Sequence, residues 1–312
     1  MAASESSFAV RVAAGPLVLD GGLATELERR GFDLGSHLWS ARLLHDDPSA
    51  ILDVHRAFVA AGAELVTAAS YQASFDGFHR AGMGARHAGA LMTRSIELAR
   101  AAEPRYVAAS IGPYGATRAD GSEYTGVYVE SMSLAALREF HRRRLDVFAA
   151  ATPDVLAAET IPAAAEAEAI LAEVQHMGQP AWLSLTIQVD PEGHARTRHG
   201  EDAADVFAMA ADVDAVVAVG VNCSEPGDVP AGIVAARRSG KPILVYPNSG
   251  ERWDGRSRRW RGRPTEFEDE VPTWIALGAR GVGGCCRVGP DAIAKIADRI
   301  GAPPTSGCTQ RP

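Results

Sequence analysis

The feature that most constrains this chain is an alternation: eight short β-branched or apolar runs, interleaved with longer Ala-rich amphipathic stretches. The runs are Leu17 to Asp20, Glu64 to Thr67, Tyr106 to Ile111, Val155 to Glu159, Ala181 to Ile187, Ala215 to Val221, Ile243 to Tyr246 and Gly281 to Gly284. Helix candidates lie at 50–61, 84–102, 133–150, 163–177, 201–210, 228–238, 267–277 and 290–300. Such a series is the mark of repeated βα units around a parallel sheet. Eight pairs match the (β/α)8 TIM barrel, whereas an open doubly wound sheet shows fewer strands and a glycine-rich dinucleotide turn. Neither GxGxxG nor GxxxxGK[ST] occurs. A length of 312 residues admits one domain or two. No Pro/Ser/Gly linker interrupts the series, so we expect a single α/β barrel over 11–300, between an N-terminal tail (1–10) and a disordered tail (301–312).

Composition narrows the function class. With 46% hydrophobic and 22% charged residues the chain can build a large core. Its 39 acidic against 31 basic residues argue against a generic nucleic-acid or anionic-membrane binder and favour small substrates. No window has the roughly 18 apolar residues of a membrane span. Met1 to Arg11 lacks a basic region followed by an apolar one, so a cytoplasmic location is the expectation. HExxH and GxSxG are absent.

In a barrel the active site gathers at the C-terminal ends of the strands. Polar residues there are Asp20 after the first strand, Thr67, Ser70 and Tyr71 after the second, Glu159 at the fourth, Asn222 and Cys223 at the sixth, Asn248 after the seventh, and Cys285 and Cys286 at the eighth. The adjacent cysteines are poorly disposed to bridge each other. With Cys223 they make a three-thiol set of the kind a catalytic zinc site uses, leaving a fourth position open. Read from residue types alone, small buried hydrophobes remain the alternative. Cys308, in a Pro/Ser/Gly tail, is expected to be a bystander.

The stretches LDGGLATELERRG (19–31), HLWSARLL (37–44), TAASYQAS (67–74), SIGPYGA (110–116), DGSEYTG (120–126), ET (159–160), GVNC (220–223), VYPNSGE (245–251) and GGCC (283–286) together resemble the homocysteine S-methyltransferase family, over about residues 11–300. SIGPYGA and DGSEY most resemble its S-methylmethionine-dependent branch. The resemblance implies a zinc-dependent barrel with Zn2+ on Cys223, Cys285 and Cys286. It further implies methyl transfer from a sulfonium donor, S-methylmethionine or S-adenosylmethionine, to homocysteine, giving methionine. Asp20 and Glu159 would hold the substrate ammonium, and the Gly21 and Gly22 amides, with Thr67, its carboxylate. Aromatic faces attract cations, so Trp39 and Tyr71 are expected at the sulfonium. Ser70 joins this pocket, and Asn222 and Asn248 are expected to bond to the thiolates or orient substrate.

Two readings compete: a selenocysteine Se-methyltransferase and a noncatalytic zinc-binding barrel. The Arg-rich segment from Arg252 to Arg263 is expected to be a solvated loop, and Arg142 to Arg144 to form the outer face of their helix.

Overall fold

The computed structural model describes residues 7–34, 40–118, 120–254 and 259–301. Eight parallel strands form one sheet: β1 (Leu17–Val18), β2 (Leu65–Thr67), β3 (Tyr106–Ile111), β4 (Val155–Ile161), β5 (Ala181–Leu185), β6 (Val216–Asn222), β7 (Ile243–Tyr246) and β8 (Ala279–Val282). From β2 to β8 each strand pairs with its sequence neighbour, and β1 pairs with β8. A bridge between Leu19 and Leu65 links β1 to β2, bringing the two ends of the sheet together. This is the expected TIM-barrel architecture.

The two-residue period of a strand builds the interior. Leu65, Tyr106, Ala108, Val155, Ala157, Ala218 and Leu244 point inward and form one core with Leu17, Leu19, Trp182 and Tyr246. Their strand neighbours Val66, Val107, Ala109, Leu156 and Val245 point outward into a second, larger core beneath the helices. Continuing the inward rows one step towards the C-terminal ends places Thr67, Ser110, Glu159 and Tyr246 at one mouth of the barrel. The opposite end is closed by the helix Phe8–Ala14, whose Phe8 and Val12 are buried in the interior core. Phe8 meets Tyr106 and Trp182 at ring-centroid distances of 5.7 and 5.8 Å. The expected tail boundary at residue 10 therefore falls inside an ordered helix, because Phe8 and Val12, four apart, share a buried face.

The outer helices match the sequence reading with shifts at their ends. Asp47 caps Pro48–Ala60 by accepting from the Ala50 amide, and Pro48 sits in the first turn. The expected helix 267–277 splits into a 3-10 turn, Phe267–Glu270, and the helix Val271–Ala276, because Pro272 is suited to a first turn and not to an interior. Four helices escaped the periodic reading: Phe8–Ala14, Leu23–Arg29, Ser40–Asp46 and Phe75–Arg80. So did two hairpins, Ile187–Val189 with Ala195–Thr197, and Arg252–Asp254 with Arg259–Arg261. The second hairpin puts an antiparallel ladder within the segment expected to be a loop. Arg256, Arg258 and Cys308 lie outside the described residues.

Arg144 departs from expectation. Arg142 does pair at the surface with Glu139 and Glu173, but Arg144 is buried and donates to the carbonyls of Gly112 and Tyr71 at 2.8 and 3.0 Å. One face of Leu134–Ala150 packs towards the barrel, and Arg144 lies on it, tying the loops after β2 and β3 together.

Candidate active site

The mouth of the barrel holds a cavity of about 310 Å3, within the size class of small-molecule sites. It is lined from the ends of most strands, among them by Asp20, Thr67, Tyr71, Glu159, Cys223 and Cys286. Asp20 follows β1, where its carboxylate accepts from the Thr67 amide (2.7 Å) and the Thr67 hydroxyl (3.1 Å). Burial drives its pKa up to about 8, with Glu159 adding to the rise and the Thr67 bonds opposing it. Glu159 accepts from the Ser110 hydroxyl and from Tyr246, and burial likewise lifts it to about 7. Two carboxyl groups held in a low-dielectric pocket are primed to take a cation, whose charge would restore their ionisation.

Cys223 and Thr160 are both held at positive φ, +50° and +60°, a conformation costly for residues with a Cβ. Their partners explain its persistence. Asn222 accepts from the Thr160 amide (2.8 Å) and donates to the Thr160 hydroxyl (2.7 Å). The Cys223 amide donates to Tyr246 and its carbonyl accepts from Thr186. The β8 loop is fixed in the same way: the Cys285 amide donates to the Pro247 carbonyl (2.7 Å) and the Cys286 amide to Asn248 Oδ1 (3.1 Å). Gly283 is required here, since a Cβ would stand 2.6 Å from the Asp20 carbonyl oxygen.

The result is a cluster in which the sulfurs of Cys223, Cys285 and Cys286 all lie within 4.8 Å of one another. Three thiolates on one tetrahedral zinc, each about 2.3 Å from the ion, stand about 3.8 Å apart. The donor set fits such an ion. The sequence reading makes all three cysteines zinc ligands; in this structure Cys223 and Cys285 are joined as a disulfide, with Cα atoms 5.6 Å apart, and Cys286 is free, so the set can hold an ion only once that pair is reduced. Sulfurs converging closely enough to share an ion are also within reach of each other, which accounts for the difference. Burial pushes the Cys286 thiol up to about 11, and the Tyr124 hydroxyl lies 3.9 Å from its sulfur.

Other expectations separate at this point. Thr67 and Tyr71 line the cavity, as does Gly21, but Ser70 does not: its hydroxyl is buried and donates to the Ser110 carbonyl at 2.8 Å. The Gly22 amide donates to the Val288 carbonyl (2.9 Å), so it is engaged within the fold and not with a ligand's carboxylate. Neither asparagine bonds to a sulfur: Asn222 supports Thr160 near the end of β4, and Asn248 accepts from the Cys286 backbone amide. Trp39 lies outside the described residues. Residue-by-residue reading missed Ser110, Glu123, Tyr124, Thr160 and Tyr246 as cavity residues. The strand period could have found Ser110 and Tyr246, inward positions of β3 and β7.

The family model for homocysteine S-methyltransferase matches residues 17–300. The chain belongs to this family. Homocysteine S-methyltransferase 2 of Zea mays is 41% identical, the match covering 95% of this chain and 94% of that protein. Selenocysteine Se-methyltransferase of Brassica oleracea var. italica is 38% identical, over 92% and 89%. Among solved structures, the metallated form of the homocysteine methyltransferase MmuM from Escherichia coli superposes with a TM-score of 0.82 at 37% identity, covering 93% of this chain and 99% of that one. The oxidised form of the same protein gives 0.81 at 38% identity, over 91% and 95%. The chain is thus a methyltransferase of the homocysteine type, with a three-cysteine cluster able to hold a metal ion. Among the described residues no helix is long and apolar enough to cross a membrane.

Proposed function

We propose that this enzyme, with the Cys223–Cys285 pair reduced, moves a methyl group from S-methylmethionine to homocysteine, with Zn2+ held by Cys223, Cys285 and Cys286. The observation that carries the reading is the three-sulfur cluster opening onto a cavity walled by buried carboxyl groups. When bound, zinc supplies Lewis acidity that favours the thiolate form of a substrate thiol whose free pKa is near 8.5. Asp20 and Glu159 hold the homocysteine ammonium, and the Thr67 and Ser110 bonds fix those carboxylates in place. In the transfer a C–S bond of the sulfonium breaks as the bond to the homocysteine sulfur forms, the thiol proton leaves, and both products are neutral thioethers. Tyr71, half-buried at the cavity wall, offers an aromatic face to the sulfonium.

The test is a donor and acceptor panel. Metal-loaded protein is given homocysteine with S-methylmethionine or S-adenosylmethionine, and methionine is measured. The proposal expects S-methylmethionine to give the higher kcat/KM, and absence of methionine from either donor would overturn it. The Brassica relative favours one second reading, a selenol acceptor, so selenocysteine enters the same panel. A selenocysteine kcat/KM well above that of homocysteine would reassign the acceptor.

A further inference from the structure

Glu123 lies in the loop after β3, between Gly121 and Gly126, both at positive φ (+83° and +70°). Asp120 accepts from the Ser122 amide (3.0 Å) and stiffens the turn. The neighbouring stretch is anchored from behind, where Glu166 accepts from the Tyr114 amide (2.7 Å) and from the Tyr128 hydroxyl. A Cβ on Gly115 would stand 2.6 Å from the Glu123 amide nitrogen, so the two segments are in close contact. Glu123 is therefore carried on a built loop. Its side chain lines the active-site cavity, is only 4% exposed, and its Oε2 has no hydrogen-bond partner.

A buried carboxylate oxygen without a donor is costly unless a ligand supplies one. The cavity offers no internal remedy: among the described residues lining it there is no Lys, Arg or His, while Asp20, Glu28, Asp33, Glu123 and Glu159 all line it. Asp20 and Glu159 already have partners within the barrel and are assigned above to the homocysteine ammonium. Glu123 comes from a different loop, shares the Tyr71 neighbourhood with Glu159, and adjoins Tyr124, which reaches Cys286.

Building on the methyl-transfer reading, we propose that Glu123 binds the α-ammonium of the methyl donor and so makes the enzyme select sulfonium donors that are amino acids. The alternative target within the donor, the sulfonium itself, is disfavoured by energetics. A carboxylate on the sulfonium stabilises a charge that fades in the transition state and so slows transfer, whereas the ammonium keeps its charge throughout and its N–H groups satisfy Oε2. Glu123 is then a specificity residue, with its effect on donor KM and little on kcat.

The experiment compares wild type with Glu123→Gln, a nearly isosteric change that removes the charge. It uses S-methylmethionine and its deamino analogue, a dimethylsulfonium carboxylate of the same chain length. We expect Glu123→Gln to raise the KM for S-methylmethionine by about 10- to 100-fold, the scale of a charge-assisted hydrogen bond, with homocysteine KM within about twofold of wild type. The deamino donor should be equally poor for both proteins, since the variant lacks only the partner that this donor also lacks. A parallel loss with both donors, a rise confined to homocysteine KM, or a fall in kcat with both KM values unchanged would each overturn the assignment. Calorimetric binding of the two sulfonium compounds separates this inference from the reading beneath it. Binding that depends on both Glu123 and the donor amino group upholds the inference even if no methyl reaches homocysteine. Normal turnover by the variant sinks the inference and leaves the methyltransferase reading intact.

Discussion

At the scale of single residues the chemistry rests on groups whose burial opposes their charge. Asp20 and Glu159, raised to about 8 and 7, keep their protons in the folded chain between the ordinary carboxylate pKa near 4 and those values. Two consequences follow with definite signs. Ammonium binding requires the ionised forms, so kcat/KM for homocysteine should fall as pH drops from about 8 to 6, and Glu159→Gln should make that fall shallower while weakening binding; a pH profile unchanged by the substitution would remove Glu159 from the role. For stability, the folded state binds more protons than the unfolded state in the same window, so this contribution is fully present below about pH 4 and is lost as pH rises towards 8. Asp20→Asn should therefore flatten the decline of the melting temperature between pH 5 and 8, measured by calorimetry, even as it lowers turnover. The cysteines give a separate expectation: Cys223→Ser, Cys285→Ser and Cys286→Ser should each lower bound zinc in the purified, reduced protein, whereas Cys308→Ser should leave about one per chain. Zinc retained in full by all three variants would refute the site. Asp20, Glu159 and the cysteines could be read from the sequence because charged or thiol groups at the ends of apolar runs are conspicuous. Glu123 could not, since nothing in the aperiodic segment DGSEYTG says that it will be buried; only the packing of Gly115 and Tyr128 around it does.

At the scale of elements, the eight βα pairs were legible because the strands are buried on both faces, which leaves uninterrupted apolar runs, and because their long helices keep a 3.6-residue period. The short helices Leu23–Arg29 and Phe75–Arg80 last two turns or less, too few for a period to emerge, and the hairpins lie among polar residues. The ends of the elements were the least legible part. Asn222 looked like a neighbour of the metal ligands, which it is in sequence, yet it bonds twice across to Thr160 and holds the end of β4 in a left-handed conformation. Removing that clamp leaves a buried amide unsatisfied and a strained residue unsupported. Asn222→Ala should accordingly cost about 2–4 kcal/mol in a denaturant titration and lower kcat/KM through the displaced Glu159. Adding Thr160→Gly relieves the strain but not the lost bonds, so the double variant should recover part of the stability and little of the catalysis. Full recovery of both would show that Asn222 acts on backbone strain alone.

Across the whole molecule the barrel separates its two ends: one mouth carries the cavity and the other is stoppered by Phe8–Ala14. Arg11 secures the stopper by pairing with Glu64 just before β2 and by donating to the carbonyls of Gly15 and Pro16, each at 3.0 Å. The packing of Phe8 against Tyr106 and Trp182 was invisible in the sequence, because the surface that covers Phe8 exists only once β3 and β5 are set on either side of β4 in the closed sheet. Between stopper and cavity lie Trp182 and Tyr246, the Trp182 indole donating to the Tyr246 hydroxyl at 2.9 Å, and Tyr246 in turn reaches Glu159. Interiors packed at crystal-like density pass strain between neighbours, so this line of contacts is the route by which the stopper could matter to the site. Phe8→Ala empties a buried ring position and should cost about 3–5 kcal/mol, seen as a lowered denaturant midpoint. If Trp182 and Tyr246 stay in place, kcat and both KM values will remain within about twofold of wild type at temperatures where the variant is folded. If the ring's removal lets Trp182 drop towards the vacated space, Tyr246 follows and Glu159 loses a donor, which raises the homocysteine KM but not that of the donor. The rigid outcome is expected, because Tyr246 is anchored independently through its strand pairing to Asn222 and Trp182 through its own to Ala157 and Ala218. A homocysteine KM raised tenfold in Phe8→Ala, with folding intact, would show that the two ends of the barrel are coupled after all.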